Sequence, residues 1–175
     1  MERSVRFGEW SLDLFESFDL DNIQNMKDTV PECFYRISAK ALVLNESRDK
    51  FLIVQESDDR WELPGGGLDW GATPQEDIPR EIMEEMGIVV TGVAPHPSYF
   101  FTFPHTRTAS LLANVMYETT LTNLDFTESR ECMAVRFVNV KDVQGLVLHN
   151  NIKTLLEQFD PKNHVVRTNP DINSR

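Results

Sequence analysis

Cysteine is nearly missing from this sequence: of 175 residues, only Cys33 and Cys132 carry a thiol. Two cysteines cannot make the disulfide framework of a small secreted domain, and they lack metal-ligand spacing. Both read as small core residues. Long apolar runs are missing too. Nothing approaches the ~18–20 consecutive apolar residues that cross a bilayer. Where a signal peptide would be apolar, the first twenty residues carry Arg3, Arg6, Glu9, Asp13, Glu16 and Asp19. The expectation is a soluble, cytoplasmic protein with no membrane partner. Positive charge is scarce: 17 Lys and Arg stand against 28 Asp and Glu, a net charge of -11. That argues against the basic face that grips a nucleic-acid backbone, so no nucleic-acid duplex is expected as a partner. An acidic chain that acts on an anionic phosphate needs a local counter-charge, and a bound divalent cation supplies one.

What is present fits one folded domain. Hydrophobic residues at 41% and charged residues at 26% are near the globular average, and the length suffices for a real core. Residues 1–30 read as an N-terminal extension with a short helical candidate over Asp21–Met26. Residues 31–160 read as the domain, and 161–175 as a polar tail that frays. Phe34–Leu44 and Phe51–Gln55 read as strands flanking a polar hairpin loop. Further strands are expected over Ile88–Val93, Ser98–Phe103, Ala109–Tyr117 and Ala134–Val140, with a closing helix over His149–Phe159. Strands with two helices point to an α/β (α+β) fold in which helices cover a mixed sheet.

The clearest helix starts at Thr73-Pro74-Gln75-Glu76, a capping box with proline at the first helical position. Ile78, Ile82 and Met86 form its apolar face and Gly87 its stop. Pro79 lies inside, where it removes a hydrogen bond and is expected to kink the axis. Glu81, Glu84 and Glu85 are spaced i, i+3, i+4, so their carboxylates are expected on one face, opposite the apolar stripe. Like charges so placed repel by a few tenths of a kcal/mol per exposed pair. A hard divalent cation converts that repulsion into binding. The plainer alternative is a surface ladder of Glu76, Arg80 and Glu84 at i+4 steps.

The glycines upstream decide between these. From Gly66 to Ile88 the sequence resembles the Nudix box, Gly-x5-Glu-x7-Arg-Glu-U-x-Glu-Glu-x-Gly-U with U apolar. Gly66, Arg80, Glu81, Ile82, Glu84, Glu85, Gly87 and Ile88 match in register, after a Trp61-Glu62-Leu63-Pro64 lead-in of the same look. The resemblance implies an α/β/α sandwich and a pyrophosphohydrolase that uses Mg²⁺ or Mn²⁺. It implies Glu81, Glu84, Glu85 and the Gly66 carbonyl as metal ligands, with Arg80 holding a glutamate in place. A later loop often adds an acid, here Glu131 with Glu128 second, and Glu81 or Glu131 would be the base. The departure is Ala72, where the family usually has glutamate; Asp69 or Glu76 would have to substitute.

Arg36 and Trp61 are candidates to meet the substrate, a small nucleoside diphosphate derivative. Some members with a proline about sixteen residues past the box act on ADP-ribose, and Pro104 stands there. Nucleotide sugars and nucleoside triphosphates stay open, and a homodimer is possible. His96, His105, His149 and His164 show no metal spacing and read as structural or exposed. A second reading takes Ala72 and Pro79 as signs of a domain that binds nucleotides without cutting them.

Overall fold

The computed structural model describes residues 35–104 and 111–165. The expected extension with its Asp21–Met26 helix, Cys33, His105 and the tail past residue 165 lie outside the described residues. One sheet is built on β6 (Leu111–Leu121). Along one edge it pairs in parallel with β1 (Tyr35–Leu42), register Ala39 to Val115. Its other edge pairs antiparallel with β5 (Tyr99–Pro104) and, further along, with β4 (Val90–Val93). The second sheet runs β7 (Ala134–Val138), β2 (Phe51–Gln55), β3 (Arg60–Glu62), β8 (Val147–Leu148). It is antiparallel except where β3 meets β8.

Burial along the strands explains where the helices go. Residues 38–43 are all buried, the near-continuous run of a strand covered on both faces. Successive side chains point oppositely. Ala39, Ala41 and Val43 therefore pack with Ile78, Ile82 and Met86 of α1 (Pro74–Met86), while Leu42 packs with Ile152 and Leu155 of α2 (Asn150–Gln158). Leu52 and Val54 against Phe51 and Ile53 repeat the alternation on β2. One helix on each face makes the expected α/β/α sandwich with mixed sheets.

Helix α1 forms as its sequence dictates. The Thr73 amide and hydroxyl both donate to the Glu76 carboxylate, at 2.9 and 2.8 Å. Gly87 closes the helix at φ 69°, where a side chain would be strained, and donates to the Met83 carbonyl at 3.0 Å. The helix is continuous across Pro79. Two strands escape sequence reading, β3 with three residues and β8 with two, because pieces so short show no alternation. The expected tail begins with a 3-10 turn over Pro161–His164. There His164 is buried, 2.7 Å from the Tyr99 hydroxyl and stacked on Phe159.

Ile82 is fully buried and Met83, one residue on, is 45% exposed. Ile82→Ala is expected to cost about 2–5 kcal/mol in urea unfolding, and Met83→Ala no more than about 0.5 kcal/mol.

Candidate active site

Strand β1 is the template on which the glycine loop is laid. Ala41 donates to the Pro64 carbonyl at 2.9 Å and Ala39 to the Gly66 carbonyl at 3.0 Å, while Leu68 donates back to Ile37 at 3.0 Å. The loop is thereby pressed onto α1. A Cβ on Gly66 would sit 2.3 Å from the Glu81 carboxyl carbon, so any side chain there would displace the carboxylate. The Gly66 carbonyl, expected to join the metal ligands, spends one lone pair on Ala39. Beside it, the Gly65 amide donates to Glu85 at 3.0 Å, and the Gly65 carbonyl accepts from Lys40 Nζ.

Arg80 gathers the acids of this corner. Its guanidinium lies 2.6 Å from Asp77 Oδ1, 2.7 Å from Glu81 Oε1, 3.0 Å from Glu84 Oε2 and 3.1 Å from Asp69 Oδ2. Asp77 first and Glu81 next hold the guanidinium even more firmly charged than usual. The second Asp77 oxygen accepts from the Asp69 amide at 2.8 Å, tying the loop to the helix. Asp77 is buried. Of the two substitutes proposed for the missing glutamate at Ala72, Asp69 does reach Arg80, whereas Glu76 is spent on the helix cap. Sequence reading missed Asp77, whose only signal is its i, i+3 spacing to Arg80.

The three glutamates do not share one solvated face. Glu85 is buried, Glu81 half-buried and Glu84 exposed. At 100° per residue, Glu84 and Glu85 diverge, and Glu85 falls beside Ile82 on the core side. Burial pushes the Glu85 carboxyl up to about 7; Lys40 and the Gly65 amide oppose this, and the charges of Glu81 and Glu131 add to it. Glu131, though exposed, is thus near enough to be felt. Its loop is stitched to the end of α1 by Thr127 donating to the Met86 carbonyl at 2.8 Å and Ser129 to the Glu85 carbonyl at 2.7 Å. Glu128 is exposed on the same loop. Cys132 is buried behind it, and burial, then Glu85, pushes its thiol up to about 11, as fits an inert core residue. A buried carboxylate crowded by two others, over a glycine with no room for a side chain, fits a hard divalent cation.

The two substrate-binding candidates separate. Arg36 lies over the loop: a Cβ on Gly67 would meet its guanidinium at 2.3 Å. Trp61 corrects the expectation, being buried at 8% exposure in the core cluster under α2. An aromatic on a short central strand buries its ring more cheaply than it displays it. A different set of polar groups assembles next door. Glu56, Glu62 and His149 bring ligand atoms within 4.8 Å of one another, the group among the described residues that meets this spacing, unlike the helix trio. His149 is thus placed between two carboxylates, which its chain position does not announce. Both imidazole nitrogens already face them, Nε2 to Glu56 at 3.1 Å and Nδ1 to Glu62 at 3.2 Å.

The NUDIX domain model matches residues 34–159, well over half the chain. The chain belongs to the NUDIX family. A putative 8-oxo-dGTP diphosphatase of Bacillus subtilis (strain 168) is 42% identical over 53 residues, 30% of this chain and 36% of that protein. The chain spans about a third of the length of the curated relatives it matches. Among solved structures, a MutT protein from Methanosarcina mazei Go1 is similar at 24% identity and TM-score 0.62, over 78% of this chain and all of that one. An ADP-ribose pyrophosphatase from Streptococcus suis 89-1591 is similar at 25% identity and TM-score 0.57, over 78% and 95%. These likenesses agree on the NUDIX fold, while the molecules for which those proteins are named differ.

If Asp77 fills the place of the family's glutamate, Asp77→Ala lowers the melting temperature by at least about 3 °C, and adding Ala72→Glu restores much of it. Differential scanning calorimetry of the wild type, the single variant and the double variant checks this.

Proposed function

We propose that this NUDIX domain is a divalent-metal-dependent hydrolase that cleaves the diphosphate linkage of a nucleoside diphosphate derivative. The observation that carries this reading is the gathering of Glu81, Glu84, Asp77 and Asp69 on the Arg80 guanidinium. Glu85, on the same helix, and Glu131, on the loop stitched to that helix's end, lie close by. A cation such as Mg²⁺ or Mn²⁺, held by Glu81, Glu84, Glu85 and the Gly66 carbonyl, would neutralise the diphosphate and supply an activated water.

The chain's own residues do the rest. Arg80 fixes the Glu81 carboxylate through its 2.7 Å contact, so Glu81 meets the attacking water in one orientation. Glu81 then takes the water proton, with Glu131 the second candidate for that step. Arg36, whose guanidinium lies over Gly67, would meet a phosphate oxygen. Asp77 and Asp69 support the catalytic reading over the domain that binds without cutting, since Arg80 is not left without acidic partners by Ala72.

Glu84 is exposed and touches Arg80, so Glu84→Gln is expected to leave folding intact. Turnover should fall roughly a hundredfold, the scale of losing one electrostatic contact to the transition state. A phosphate-release screen of nucleoside diphosphate derivatives with Mg²⁺ or Mn²⁺ checks both points. Unchanged turnover removes Glu84 from the site, and no turnover on any compound removes the hydrolase.

A further inference from the structure

We propose that Asn114 selects the base of the substrate, its amide nitrogen donating to a carbonyl oxygen of a neutral, oxo-bearing nucleobase. The inference rests on the nucleoside diphosphate reading above and adds which bases the site accepts.

Asn114 lies on β6 with 1% of its surface exposed, and its Nδ2 has no hydrogen-bond partner. Buried amides rarely go unpaired, because the group loses water and gains nothing in return. This one lines a cavity of about 220 Å³ whose apolar wall is Phe103, Pro104 and Leu112. Sites that enclose a whole drug-sized ligand measure ~300–1,000 Å³; this one has room for one moiety.

The cavity's charges describe that moiety. Its two fixed cations are already matched by carboxylates: Lys40 lies 3.6 Å from Glu62, and Arg60 lies 3.6 Å from Glu56 and 2.6 Å from Asp58. Burial pushes the Glu62 carboxyl up, but Lys40, His149 and Asn151 outweigh it and hold it below the usual range, so it stays charged. Neither cation is left free to call for a phosphate, and the open donor calls for a neutral acceptor. A planar base against Phe103 supplies both stacking surface and carbonyl. The exocyclic amine of adenine at that place would oppose one donor with another. The position suits the reaction as well. Ser38 and Lys40, which line the cavity, flank Ala39, whose amide holds Gly66, and Ser38 itself bridges Gly67. A base seated here leaves its phosphates beside the glycine loop.

Isothermal titration of the full chain with inosine and adenosine monophosphates tests the proposal. Inosine monophosphate, with an oxo group where adenosine has an amine, is expected to bind at least about tenfold tighter, the worth of one well-made buried hydrogen bond. Asn114→Leu should abolish that preference without lowering the melting temperature, because an unpaired amide gives way to an apolar group of similar shape. The wild-type comparison stands even if the variant misfolds. Equal affinity for the two nucleotides, binding of neither, or a preference that survives in Asn114→Leu would overturn it. Hydrolysis is scored apart: selective binding without cleavage of any diphosphate keeps the role of Asn114 and removes the reaction.

Discussion

The Arg80 guanidinium is the contact on which the rest of the site depends. It lies on a helix whose inner face is fixed by Ile78, Ile82 and Met86, and it reaches acids on both that helix and the preceding loop. Four carboxylates near one another repel unless a cation stands between them. Arg80 supplies that charge permanently, because a guanidinium does not deprotonate in proteins. It offers a planar fork that holds Asp77 and Glu81 at once. Removing it would leave Asp77 buried without a counter-charge and release Glu81 from its present orientation.

The glycine loop depends on this arrangement from the other side. Its backbone is bonded along β1 through Ala39 and Ala41, and Gly66 yields its side-chain space to the Glu81 carboxyl. Glu85 is fixed by the Gly65 amide, with the charges of Glu81 and Glu131 close by. One carboxylate is therefore tied to Arg80 and another to the loop. Both are set by backbone geometry and by a neighbouring side chain, so little reorganisation would be needed to take up the proposed cation and diphosphate.

How much of this was legible in the sequence follows from where each signal resides. The box could be read because its residues lie at fixed intervals on one loop and one helix, and Thr73, Glu76 and Gly87 marked the helix ends by local chemistry. β1 and β2 declared themselves as apolar runs because the sheet is covered on both faces. Asp69 could be named from the sequence as a partner for Arg80, but Asp77 was not legible: it meets a loop amide at Asp69 and the guanidinium at once, a juxtaposition that spacing along the chain does not fix. The grading of Glu81, Glu84 and Glu85 from half-buried to exposed to buried likewise depends on what packs against each. Trp61 was read as a substrate contact because aromatics look alike in sequence whether they face a ligand or the core. The cavity beside Asn114 escaped altogether, since it is assembled from β1, β3, β5, β6 and the start of α2, each giving one or two residues.

Two acidic clusters lie near one another, and we assign the proposed cation to the one around Arg80 rather than to Glu56, Glu62 and His149, whose partners are already chosen. Paramagnetic broadening of amide signals by Mn²⁺ separates them directly. Substoichiometric Mn²⁺ is expected to broaden Gly65, Gly66 and residues 81–85 first, with Glu131 close behind. Broadening centred on Glu56, Glu62 and His149, with the glycine loop and α1 untouched, would contradict it.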